Sequence, residues 1–186
     1  MVYLFKTIKM RILIIAGTRV GGTAFSNWLA MELGIPFVME PDSTENNNEW
    51  NNGECVTKII YSDNESVKNY MTKNWDYIFG ITRQDTFDCT ISGVWSGNHK
   101  TAHNKYKIPN KWVEENIDEI KKQESIIIDR HENIKSLPIV QLTYEKIFNT
   151  QEDIEQIKNI LGISKTKYEH ILSIENRLRE VNKKLL

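Results

Sequence analysis

The sequence predicts an α/β fold, and three observations lead to it. Short apolar runs rich in β-branched residues, at 12–16, 56–61 and 77–81, have the composition of strands buried on both faces of a sheet. Between them lie segments whose apolar residues recur at helical spacing. The first run also ends in a glycine-rich bend, Gly17-Thr18-Arg19-Val20-Gly21-Gly22-Thr23, that opens directly into such a segment.

The first element is the run Ile12-Leu13-Ile14-Ile15-Ala16, read as a strand. The bend after it can turn tightly because glycine reaches positive φ without a Cβ clash. Ala24, Phe25, Trp28, Leu29 and Met31 then mark a helix, with Thr23 or Ser26 expected near its start and Gly34 as its C-cap. Strand, glycine bend and helix N-terminus together make an anion site, since free backbone N–H groups converge there and the helix dipole adds positive potential. The stretch 35–39 reads as a second strand ending at Glu40-Pro41, which sets Glu40 at the C-terminal edge of the sheet, where open parallel sheets bind ligands.

An asparagine-rich loop is expected from 42 to 53, a strand over 56–61 and a short helix over 66–73. Tyr77-Ile78-Phe79-Gly80-Ile81 reads as a central strand running out into Thr82-Arg83, with a helix following. The stretch 94–103, with Trp95, His99 and His103, reads as a polar loop. Trp112, Val113, Ile117 and Ile120 predict an amphipathic helix over 110–128. A strand follows Leu137-Pro138, then a helix closing on Leu161-Gly162, and a last amphipathic helix from Lys165 to Leu186.

Composition bounds the function. With 186 residues and 40% hydrophobic content, the chain is expected to form one domain spanning 1–186, with 1–9 as a dispensable extension before Met10 and 164–186 as a C-terminal helix. A net charge of −1 gives no general case for nucleic acid or an anionic membrane as partner, so anion binding has to arise locally. Cys55 and Cys89 lack metal-ligand or disulfide-framework spacing, which fits a reducing, cytoplasmic setting. No run is long enough to span a bilayer. His99 and His103 are one helical turn apart, but no further ligand completes a metal set, and no metal is expected.

The loop separates the classes of phosphate binder. Gly17 and Gly22 have the spacing of a Walker A loop, but Thr23 stands where its lysine belongs, and no G-x-G-x-x-G dinucleotide fingerprint is present. The stretch Arg19-Val20-Gly21-Gly22-Thr23-Ala24-Phe25 instead resembles the 5′-phosphosulfate loop of the sulfotransferase family. Arg19, Gly21 and Thr23 match that pattern, while Val20 and Gly22 replace its usual hydroxyl residues. Ile81-Thr82-Arg83 through Ser92 resembles the family's 3′-phosphate motif, an arginine ending a strand and a serine in the next helix. The separation is one residue longer than in the commonest form and the usual proline is missing, so Thr90 is an alternative to Ser92. Leu142-Thr143-Tyr144-Glu145 with the later Leu161-Gly162 resembles the C-terminal half of the family, where the glutamate is structural. The family's Arg-Lys-Gly segment is not found; Arg177 or Arg179 are stand-ins for it, and a solvated basic face on the last helix is the plainer reading.

This resemblance covers about 11–163. It implies a P-loop-like three-layer α/β/α sandwich around a parallel sheet, with 3′-phosphoadenosine 5′-phosphosulfate as donor and a hydroxyl compound, for example a carbohydrate, as acceptor. Under it, Arg19, Gly21, Gly22, Thr23, Ala24 and Phe25 hold the 5′-phosphosulfate, and Arg83 and Ser92 hold the 3′-phosphate. Glu40 is the expected general base, with Arg19 also acting on the transferred group and His99 or His103 in reserve. A plainer reading pairs Arg83 with Asp85 at the surface and leaves Glu40 to cap a turn before Pro41. Two alternatives remain open: a P-loop nucleotide kinase, and a noncatalytic relative that binds phosphate or nucleotide. Acceptor identity and oligomeric state are not legible.

Overall fold

The computed structural model describes residues 10–39, 53–99, 108–168 and 171–172. Five strands form one sheet: β1 (Arg11–Ala16), β2 (Phe37–Met39), β3 (Cys55–Ile60), β4 (Tyr77–Thr82) and β5 (Val140–Thr143). The helices are α1 (Gly22–Leu33), α2 (Asn64–Met71), α3 (Thr86–His99), α4 (Asn110–Glu115), α5 (Ile117–Ser136), α6 (Tyr144–Phe148) and α7 (Glu152–Leu161). The sheet order is β2-β3-β1-β4-β5, and every pairing is parallel. The expected α/β class is therefore found, with helices on both faces of a parallel sheet in three layers.

Burial explains the composition of β1. It is the middle strand, so Ile12, Ile14 and Ala16 face one layer while Leu13 and Ile15 face the other, and all five are buried. The first face packs against Phe25, Trp28 and Leu29 of α1 and Ile154 and Ile157 of α7. The second packs against Val67 and Tyr70 of α2 and Ile134 of α5. Each fully buried side chain of this kind contributes about 1.5–3 kcal/mol, so the central strand is fixed on both sides.

The order of strands also locates a crevice. From β1 the chain moves toward β3 and β2, and from β4 it moves the other way, to β5. The connections that leave β1 and β4 thus diverge, and a parallel sheet binds ligands where they do so, beyond the carboxyl ends of the strands.

Several expectations are corrected. The loop read over 94–103 is helical as far as His99, because α3 continues through Gly93 and Gly97. The helix read over 110–128 is two helices meeting at Asn116, the second reaching Ser136. Residues 165–168 are not helical: the amides of Lys167 and Tyr168 donate to the carboxylate of Glu32 on α1, at 2.7–3.0 Å, and so leave the helical ladder. Neither Thr23 nor Ser26 caps α1; Gly21 does, with φ of 69°. Gly34 caps the other end, its N–H bonded to the carbonyls of Ala30 and Met31.

Candidate functional site

The bend after β1 is held from both sides by the sheet. Gly17 N–H donates to Ile81 O at 3.0 Å and Tyr61 N–H to Ala16 O at 2.9 Å, so the loop rises directly from the middle of the sheet edge. Gly21 has a positive φ, and a Cβ there would stand 2.5 Å from the Phe148 ring. Arg19 also sits in the left-handed region, with φ of 59°. For a residue with a side chain this costs about 1–2 kcal/mol, and backbone strain of this kind concentrates at ligand-binding loops.

The N-terminus of α1 suits an anion. Among the described residues no side chain caps it, and no acidic residue lies in its first turn. A helix leaves its first amides without intrahelical partners, and they are donors for an external ligand. Phe25 is an exception among the residues read for this role: its N–H donates to Gly21 O at 3.0 Å, and its ring is buried in the core. Gly22, Thr23 and Ala24 supply the first-turn amides.

A cation that the sequence reading missed stands beside them. Lys58 lies on β3, only 4% exposed, and its Nζ donates to Thr23 Oγ1 at 3.2 Å. The stem runs past Gly22, whose Cβ position would be 3.6 Å from Lys58 Cδ. The position one residue after Gly22 carries no lysine, yet an ammonium reaches it from the adjacent strand. The available signal was a lysine in a strand segment otherwise made of Cys55, Val56, Thr57, Ile59 and Ile60, where a strand deep in a parallel sheet has little use for charge.

The second segment meets the loop. Arg83 follows β4 and is 6% exposed. Its Nη1 donates to Arg19 O at 3.4 Å, its Nη2 pairs with Asp88 of α3, and its guanidinium lies 4.8 Å from the centre of the Tyr144 ring. Arg19 Nε in turn donates to Ser92 Oγ at 3.0 Å. Arg19, Arg83 and Ser92, read from separate motifs, are therefore brought together. Thr90 is not part of this group; its hydroxyl donates to Thr86 O within α3, at 2.7 Å. Nor is Arg83 a surface partner of Asp85, since burial turns it inward and the first turn of α3 presents Asp88 to it.

The surrounding groups lock this arrangement. Glu145 accepts the backbone N–H of Gln84 at 3.1 Å and of Asp85 at 3.4 Å, a structural role that ties α6 to the end of β4. Cys89 Sγ donates to Thr18 O at 2.6 Å. Burial pushes that thiol up to about 12, so it is not a thiolate near neutral pH. His99 is exposed, stacks on Trp95 with centroids 3.7 Å apart, and has Nδ1 at 3.0 Å from Trp95 O. It lies two helical turns beyond Ser92, roughly 10 Å along α3 at 1.5 Å per residue. Glu40, His103, Arg177 and Arg179 lie outside the described residues.

Among the described residues no group of three or more His, Cys, Asp or Glu is placed to hold a metal ion, and no helix is long and apolar enough to cross a membrane. Both cysteines are buried and free. No family model, curated protein or solved structure matches the chain.

Proposed function

We propose that the chain is a sulfotransferase, with a P-loop-like anion site, that moves a sulfuryl group from 3′-phosphoadenosine 5′-phosphosulfate to a hydroxyl acceptor. The observation that carries this reading is the convergence of Arg19, Ser92 and Arg83 at the divergence of the β1 and β4 connections. The two segments whose wording resembles the family's two phosphate motifs line one crevice. That crevice also holds the N-terminus of α1, which no described side chain caps, and a buried ammonium.

In the proposed reaction the acceptor oxygen attacks sulfur in line as the bond from sulfur to the 5′-phosphate oxygen breaks. The amides of Gly22, Thr23 and Ala24, with Lys58, stabilise the negative charge gathering on the departing phosphate. Arg19 orients the transferred group, and Arg83 with Ser92 holds the 3′-phosphate. Glu40 takes the acceptor proton, leaving adenosine 3′,5′-bisphosphate as the second product. A carbohydrate is the acceptor class favoured by a glutamate base.

Lys58 favours a second reading as well. It returns to the loop a cation that a nucleoside triphosphate needs, so a kinase acting on ATP is the alternative. Thermal unfolding separates the two. A ligand at about 100 times its Kd stabilises by about 2.7 kcal/mol. Stabilisation by adenosine 3′,5′-bisphosphate without metal supports the sulfotransferase, whereas stabilisation only by ATP with magnesium overturns it. Glu40→Gln is expected to abolish sulfuryl transfer while bisphosphate binding persists, and retained turnover removes Glu40 from the mechanism.

A further inference from the structure

One buried group in this crevice has no part in the reaction just described. His131, on α5, is 2% exposed, and among the described residues neither ring nitrogen has a hydrogen-bond partner of good geometry, although the backbone of Arg83 is close enough to favour the charged form. Its imidazole edge lies against the first residue of the loop: a Cβ on Gly17 would stand 2.4 Å from Nε2 and 2.7 Å from Cδ2. Folded proteins rarely leave buried polar atoms unpaired, and each such case asks for an explanation.

We propose that the loop takes its anion together with a proton, and that His131 is the group that holds the proton. The inference rests on the reading of the loop as a site for a sulfate- or phosphate-class dianion. In the empty site, burial holds His131 below the ordinary imidazole range, so it is neutral near pH 7. Of the charged groups around it, Lys135 on its own helix opposes protonation, while Glu132, also on α5, and Glu145 on α6 favour it.

The other nearby charges are already engaged. Glu145 accepts the amides of Gln84 and Asp85, and Arg83 at the end of β4 is paired with Asp88 of α3. On the loop itself, Arg19 is turned to Ser92. Burial therefore prevails until a new negative charge arrives. A dianion seated on the loop supplies that charge through a low-dielectric wall of backbone, and the imidazole regains its affinity for a solvent proton. By linkage, the protonated imidazole strengthens anion binding by the same factor.

Inorganic sulfate is the probe, because it stays a dianion from pH 5 to 8 and contributes no titration of its own. Long-range proton–nitrogen NMR on the full chain follows each histidine ring, with His131 identified by the signal that His131→Gln removes. His131 is expected to titrate at higher pH in saturating sulfate than without it. Sulfate affinity is expected to rise from pH 7.5 to 5.5 by about fivefold or more, the lower end of ordinary coupling between sites, in the wild type and not in His131→Gln.

An unmoved His131 titration, or an equal rise in His131→Gln, overturns the proton coupling and leaves the anion site standing. If sulfate shifts no loop amide at either pH, the anion-site reading falls and this inference with it. Should His131→Gln fail to fold, His131→Phe serves as the control, and the wild-type titration with and without sulfate decides by itself.

Discussion

Lys58 shows how much one side chain changes the chemistry of the loop. A buried ammonium is costly to desolvate and is kept where it meets hydrogen-bond acceptors or negative charge. Its Nζ donates to Thr23 Oγ1, on the first turn of α1, beside the amides proposed to take the anion. Lys58→Met keeps the apolar stem that passes Gly22 and removes only the charge. Hydrogen bonds to charged groups contribute about 1.5–3 kcal/mol, so bisphosphate affinity is expected to fall tenfold or more by calorimetry, with no comparable loss in the melting temperature of the empty protein. Sequence alone did not place this residue at the loop, because Lys58 and Thr23 are 35 positions apart and no local pattern joins them. Arg83 was legible as a strand-end guanidinium, but its partner was not. Asp85 is nearer in sequence, yet the turn of α3 brings Asp88 into reach.

At the scale of elements, α3 links the two phosphate segments. Asp88, Cys89 and Ser92 reach Arg83, Thr18 and Arg19 in turn, and a Cβ on Gly93 would stand 3.9 Å from Arg19 Cγ. The sequence reads as a polar loop from 94, and Gly93 and Gly97 each weaken helix propensity by about 1 kcal/mol. Tertiary packing reverses that preference: Trp95 stacks on His99 one turn along, and its ring meets Trp112 of α4 edge-on at 4.8 Å. The Arg83–Asp88 pair also competes with any incoming 3′-phosphate for the same guanidinium. Asp88 is half exposed, and ion pairs with an exposed partner contribute at most about 1 kcal/mol. Asp88→Asn is therefore expected to tighten adenosine 3′,5′-bisphosphate binding by up to about fivefold, measured by calorimetry. Weaker binding would show that Asp88 orients Arg83 rather than competes for it.

For the molecule as a whole, the proposed donor site joins two segments that are far apart in sequence and follow the neighbouring strands β1 and β4. Ligand contact with both sides should suppress their local opening together. Hydrogen exchange with and without adenosine 3′,5′-bisphosphate is expected to show added protection at 17–25 and at 83–92 in the same titration. Protection at the loop alone would point to a smaller anion and remove the 3′-phosphate role of Arg83 and Ser92. The sequence by itself determined the α/β class, the first strand as one buried on both faces, the glycine bend and the strand-end arginine, because each is written in a local pattern: an apolar run, glycines at a turn, a change of period. Only the tertiary structure decided which strands are neighbours, and with that the meeting of Arg19, Arg83 and Ser92, the arrival of Lys58 at Thr23, and the burial of His131 behind Gly17. Those contacts join residues many positions apart, and their energies come from burial and pairing across the sheet, which no local window of sequence contains.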